Sequence, residues 1–164
     1  MPTHHDSAAA ATARAVECLT RYLRLCDVPT PEKPDAVLAE LAQLFTEDAV
    51  WEGIGGQYAE KFGRNEGRAD VIRMLAGYLP PHDHFAANVH LLLPGTTECD
   101  GSVVRGNWLM QQLARYADGS SEILVARLDV VFRTGRAQAQ ISEFRTERLF
   151  SAPLGGEPMT RGTH

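Results

Sequence analysis

A chain of 164 residues has the length of one domain, and 44% apolar against 23% charged residues is the composition of a globular protein with a real core. Sixteen Lys and Arg against 21 Asp and Glu leave a net charge of −5. That balance excludes a general nucleic-acid binder, which needs a basic surface to displace counterions.

Ala8 to Cys26 reads as a helix, with Val16, Leu19, Leu23 and Cys26 at helical spacing in an Ala-rich stretch. It must stop before the stiff connector carrying Pro29, Pro31 and Pro34. A second helix opens with Asp35 as N-cap and buries Val37, Leu38, Leu41, Leu44 and Phe45. Thr46-Glu47-Asp48 reads as a turn and Ala49-Val50-Trp51-Glu52 as a short strand. Residues 53–67 hold five glycines and read as a mobile flap bearing Tyr58 and Phe62. A third helix, Arg68 to Leu79, ends at Pro80-Pro81. The apolar period then changes to two, predicting strands at about 84–93, 102–117, 121–133 and 136–150. Gly95, Asp100-Gly101, Asp118-Gly119 and Gly135 are the turn signals between them. Residues 1–150 are expected to form one domain, and 151–164, rich in Pro and Gly, a flexible tail.

No apolar run approaches the roughly 18 residues of a membrane span. Met1 to Asp6 lacks the basic region and apolar stretch of a secretion signal. Cys18, Cys26 and Cys99 form an odd, unpatterned set that reads as reduced small hydrophobes in a cytoplasmic protein. His82-Asp83-His84 with His90 invites a metal reading, but no further Cys or His spacing supports it, so no metal and no cofactor is expected. Gly53-x-Gly55-Gly56 lacks the order of a phosphate loop.

Three helices around a short strand, then four long antiparallel strands, predict an α+β domain with one curved sheet wrapped around helices. Helices do not alternate with the later strands, which excludes a Rossmann-type fold. The order resembles the SnoaL-like branch of the nuclear-transport-factor-2-like superfamily, a cystatin-like, cone-shaped α+β barrel. The carrying segments are Arg21 to Asp27, Leu41 to Glu52, Glu66 to Ile72 and His84 to His90, within residues 14–150. The closest enzyme pattern is that of the bile-acid 7α-dehydratases, with scytalone dehydratase more distant. The resemblance implies a helix-1 Tyr, a nearby Asp and a strand His, for which Tyr22, Asp27 and His84 stand at the expected places. It also implies a polar residue on the next long strand and a basic one on the last, here Asn107 and Arg145. The bile-acid enzymes carry an acid where Asn107 stands.

His84 has the chemistry of a general base at neutral pH, and strand parity puts it on one side with Asn88 and His90. The competing reading is a hydrogen-bonded structural histidine. Asp27 follows a helix C-terminus, where the dipole disfavours its charge unless a partner such as protonated His84 offsets it. A solvated helix-end acid is the alternative. Tyr22 is a candidate donor to a substrate carbonyl, or an ordinary half-buried tyrosine. Asn107 could orient a ligand oxygen or make a cross-strand bond. Arg145 could clamp a carboxylate or oxyanion, or pair on the sheet surface with Glu143, Glu147 or Asp129. Arg148 lies on the opposite parity, and a bulge would exchange the two.

The expected activity is a cofactor-independent lyase (dehydratase), or an isomerase or cyclase, acting through an enolate on a small polycyclic, steroid-like or polyketide carbonyl compound. The alternative is a non-catalytic ligand-binding or assembly module, including a role like that of the dioxygenase β subunit. The strand at 121–133 is apolar on both sides, so a homodimer or homotrimer is expected, with neither nucleic acid nor membrane as partner.

Overall fold

The first apolar stripe forms a helix that starts earlier than expected: in the computed structural model, which describes residues 4–155, α1 spans His4–Leu25. Its buried face is Ala11, Ala15, Cys18, Leu19, Tyr22 and Leu23, so Tyr22 belongs to the core stripe. α2 (Pro34–Gln43) begins one residue before Asp35, with Lys33 at the N-cap. Proline is tolerated in the first helical turn because its missing N–H has no intrahelical partner there.

β1 (Phe45–Ile54) runs through Thr46-Glu47-Asp48, which is therefore not a turn. A register shift between Phe45 and Val50 absorbs these residues, leaving Glu47 and Asp48 exposed. The glycine-rich stretch 53–67 is likewise ordered, as α3 (Gly55–Phe62) and β2 (Arg64–Glu66). Its glycines bracket the helix: Gly55 and Gly63 have φ of 73° and 57°, a region other residues avoid. Gly53 permits a close approach, because a Cβ there would stand 2.2 Å from the Tyr58 carbonyl oxygen.

α4 (Arg68–Ala76) is followed by β3 (Phe85–Leu92), β4 (Thr96–Asp100), β5 (Val103–Tyr116), β6 (Ser121–Thr134) and β7 (Ala139–Pro153). β4 was hidden among turn residues; it is short and shares one edge of β5 with β3, farther along. The seven strands form one curved, unclosed sheet in the order β2-β1-β7-β6-β5-β3, with β4 also on β5. Only β1 and β7 pair in parallel. The expected α+β architecture is thus the observed one, with β2 and β3 as open ends. β7 reaches Pro153, and residues 156–164 of the expected tail lie outside the described residues. No helix among the described residues is long and apolar enough to cross a membrane.

α1 lies in the hollow of the sheet, and the core between them is built on Leu19, Leu41, Phe45, Leu128, Phe132 and Ile141. On the convex side the outward residues of β6, Ile123, Val125 and Val131, are half-buried, while Val89, Leu91 and Leu109 on the neighbouring strands are exposed.

Phe132 is fully buried and meets Trp108 edge-on with ring centroids 6.1 Å apart, away from the cavity described below. Phe132→Ala should therefore cost about 3–5 kcal/mol, read as a lower denaturant midpoint in urea unfolding followed by circular dichroism.

Candidate active site

Between the concave sheet face and helices α1, α3 and α4 lies a cavity of about 120 Å³, partly open to solvent. Its walls are mostly aromatic and aliphatic, and a few polar groups converge on them, as ligand sites generally show.

The centre of the site is made by the open edge of β3. Its outer-edge backbone groups at Asn88 and His90 have no strand partner, since β5 occupies the other side. The segment that follows α1 supplies them. Val28 and Asn88 exchange backbone hydrogen bonds of 2.8 and 2.9 Å. One residue earlier, Asp27 Oδ1 accepts the backbone N–H of His90 at 2.9 Å and stands 2.8 Å from its ring Nδ1. A carboxylate can only accept, so Nδ1 carries a hydrogen toward Asp27, which leaves Nε2 as the ring's proton-accepting atom. The His90 side chain is 10% exposed and lines the cavity. An imidazole oriented by a carboxylate is the arrangement a general base requires.

This corrects the expectation for His84. Asp27 is bound to His90, and His84 is not among the cavity-lining residues. His84 instead sits edge-on to three rings, those of Tyr78, Phe85 and Tyr116, with centroids 5.1, 4.5 and 5.7 Å away. Its Nε2 is buried without a hydrogen-bond partner. Burial, and then the nearby Lys61 ammonium, push its pKa down, so it is neutral at pH 7. Parity puts His84 and His90 on one side only if the strand is regular, but β3 begins at Phe85 and a register shift between Phe85 and Ala87 breaks the alternation. Among the described residues no group of three or more His, Cys, Asp or Glu is placed to hold a metal ion.

Tyr22 reaches the cavity from the buried face of α1, and is itself 4% exposed. Its oxygen accepts a 3.0 Å hydrogen bond from Trp51 Nε1. Burial, with the neighbouring Cys26, holds its pKa well above the ordinary value, so the phenol keeps its proton as a donor. Cys26 also lines the cavity, and burial pushes its thiol up to about 12, which leaves it without thiolate character.

Asn107 and Arg145 do not join this group. Both are on the convex face: Asn107 donates to Asp129 Oδ1, and Arg145 pairs with Glu52 at 3.3 Å. The reason for Arg145 is a bulge at Ser142, between the pairs Phe132–Ile141 and Val131–Glu143. It reverses the parity of β7, so Phe144, Thr146 and Arg148 point inward and Arg145 points out. On β5 the inward polar residue is Gln112, whose Nε2 donates to Asn88 Oδ1 at 2.7 Å.

Lys61, Tyr58 and Tyr116 complete the polar lining and were not singled out from sequence as site residues. Tyr116 donates to Glu122 Oε2 at 2.8 Å, and Glu122 Oε1 accepts from Arg148 at 2.6 Å. Burial and the Glu122 bond push the Tyr116 phenol up to about 12. Tyr58 had only its place in the flap to mark it. Lys61 is marked by being one of only two lysines in the chain.

Comparison with known proteins places this geometry in a family. The sequence profile of the SnoaL-like domain matches residues 8–145. No curated protein matches the chain in sequence. Among solved structures, a hexachlorocyclohexane dehydrochlorinase, LinA type 2, superposes with a TM-score of 0.73 at 17% identity, over 90% of this chain and 91% of that one. A candidate scytalone dehydratase from Novosphingobium aromaticivorans DSM 12444 gives 0.74 at 14% identity, over 97% and 99%. A protein from the same genus described as nuclear-transport-factor-2-like with a cystatin-like fold gives 0.63 at 18%, over 91% and 92%. At these identities the structures speak for the fold alone, while the profile covers most of the chain: it belongs to the SnoaL-like domain family.

Proposed function

We propose that the chain is a lyase that forms a carbon–carbon double bond by elimination from a compact carbonyl compound. The observation that carries this is the Asp27–His90 pair, an imidazole held by a carboxylate and lining a mostly apolar cavity that the protonated Tyr22 phenol also lines.

His90 Nε2 takes a proton from the carbon next to the carbonyl, and the C–H pair moves into an enolate. Asp27 stabilises the imidazolium, as the carboxylate of a His–Asp pair does. Tyr22 donates to the enolate oxygen. When the enolate collapses, the new double bond expels hydroxide from the β carbon, and the imidazolium returns its proton to release water. Reprotonation of the same enolate at another carbon would instead give isomerisation, so both reactions share the first half. The LinA dehydrochlorinase and the candidate scytalone dehydratase are both named for eliminations, which supports the first outcome.

The volume narrows the substrate. An apolar protein cavity of about 150 Å³ holds one benzene, and here the space is about 120 Å³. A single six-membered ring therefore fits better than a four-ring steroid skeleton.

With a substrate found by screening β-hydroxy ketones of one-ring size, His90→Gln should lower kcat/KM by about 10²- to 10⁴-fold. Asp27→Asn should act in the same direction, and His84→Gln should stay within about threefold. Equal losses from His84→Gln and His90→Gln would sink the assignment.

The two rings also differ spectroscopically. Because burial disfavours the charged form, the ¹³C-edited NMR titration of His84 should have its midpoint below about 6.5, the ordinary imidazole value. Linkage then makes folding stability fall as the pH drops through about 6.5, where an unfolded His84 gains a proton that the folded one does not. His84→Phe should flatten that part of the stability–pH curve.

A further inference from the structure

We propose that Lys61 and Arg148 form a carboxylate subsite at one end of the cavity, so that the substrate carries an anionic group as well as an apolar ring. This deepens the elimination reading, on which the link to a substrate rests; binding of the anion itself does not depend on turnover.

Among the described residues only two permanently charged side chains line the cavity, and both are cations from different elements, Lys61 on α3 and Arg148 on β7. The nearest acids stand behind the wall and are engaged. Asp27 holds His90, and both Glu122 oxygens are taken, Oε1 by Arg148 and Oε2 by the Tyr116 hydroxyl. One carboxylate against two cations leaves an excess positive charge at this end.

Neither cation has its hydrogen-bonding capacity filled among the described residues. The Lys61 ammonium has no carboxylate partner there; it lies over the rings of Phe62 and Tyr78, 5.0 and 5.5 Å from their centroids. Arg148 commits only Nη2, to Glu122 and to Ser151 Oγ. Its Nε and Nη1 hydrogens make no bond to another described residue and can each donate singly to an anion's oxygen. Tyr58, buried on the same helix as Lys61, adds a phenol whose hydroxyl makes no hydrogen bond to another described side chain.

The two cations also work against each other. Burial and then the Arg148 charge lower the Lys61 pKa, the mark of like charges held together in a poorly hydrated place. An anion between them removes that repulsion. The ring faces beneath Lys61 then serve as the apolar floor on which the rest of the ligand lies.

The test compares benzoate with benzamide, two ligands of one size that differ in charge, by ¹⁵N-resolved NMR titration at low salt. Wild type should bind benzoate at least tenfold more tightly, with the excess fading as salt rises. Lys61→Met, which keeps the stem over the rings, and Arg148→Gln should each cut the benzoate preference to threefold or less while leaving benzamide affinity unchanged. Equal affinities in wild type, absence of saturable benzoate binding up to about 50 mM, or a preference that survives in Lys61→Met would each overturn the subsite. His90→Gln separates this proposal from the elimination reading. If it keeps the benzoate preference while no β-hydroxy ketone is turned over by wild type, the subsite stands and the lyase falls. If turnover depends on His90 but benzoate shows no preference, the reverse holds.

Discussion

The arrangement of the site depends on how one free strand edge is covered. β3 ends its side of the sheet, and an unpaired backbone group in a buried place costs about 1–3 kcal/mol. Val28 and Asp27 remove that cost at two successive outward positions, one with backbone and the other with a carboxylate. The same carboxylate oxygen that satisfies the His90 amide also holds the His90 ring. Closing the edge and aiming the imidazole are therefore one interaction. A solvated ring with a free edge beside it would have neither a fixed tautomer nor a fixed direction.

That interaction also answers an electrostatic difficulty. α1 ends at Leu25, so Asp27 holds its negative charge just beyond the negative end of a helix dipole. Two N–H donors on one oxygen offset this, and the acid remains 26% exposed instead of being drawn fully inside. Across the cavity the same logic recurs with Glu122, which sits behind Arg148 and Tyr116. Acids are used as backing, while the wall itself presents imidazole, phenols and cations. A ligand gaining negative charge in that space meets donors and no carboxylate.

Much of the architecture was legible because it follows from local periodicity. Spacings of three and four mark α1, α2 and α4, and the change to period two after Pro81 marks the long strands. What misled was context. Five glycines in 53–67 suggest a loop when counted, yet Gly53, Gly55 and Gly63 bracket and seat α3. Thr46 to Asp48 is turn-like in composition, but the sheet absorbs it as an irregularity. Tyr22 and Asp27 were legible as site candidates, whereas the partner of Asp27 was not. Simple alternation puts His84 and His90 on one side, but β3 begins at Phe85 and a register shift between Phe85 and Ala87 breaks that parity, so Phe85 and His90 line the cavity and His84 does not. Arg145 and Arg148 were exchanged by one extra residue at Ser142, which no pattern of side chains on β7 announces.

Tyr22 on α1 and Asp27 just beyond its end are held in place by one element. Tyr22 is fixed in the wall by Phe45 at 5.6 Å, by Phe144 at 5.0 Å, and by the Trp51 indole donating to its oxygen. An oxygen that already accepts one bond leaves its own hydrogen to donate, with the Cys26 sulfur as the neighbouring acceptor at the cavity wall. Asp27 follows five residues later, beyond the end of the same helix. A shift of α1 along the sheet would therefore carry donor and acid together, and the Val28–Asn88 bridge makes β3 move with them. The distance between phenol and imidazole is thereby held by packing at one end and backbone pairing at the other. Such over-determination is what a site needs if its groups must stay aligned within a fraction of an ångström through each proton transfer.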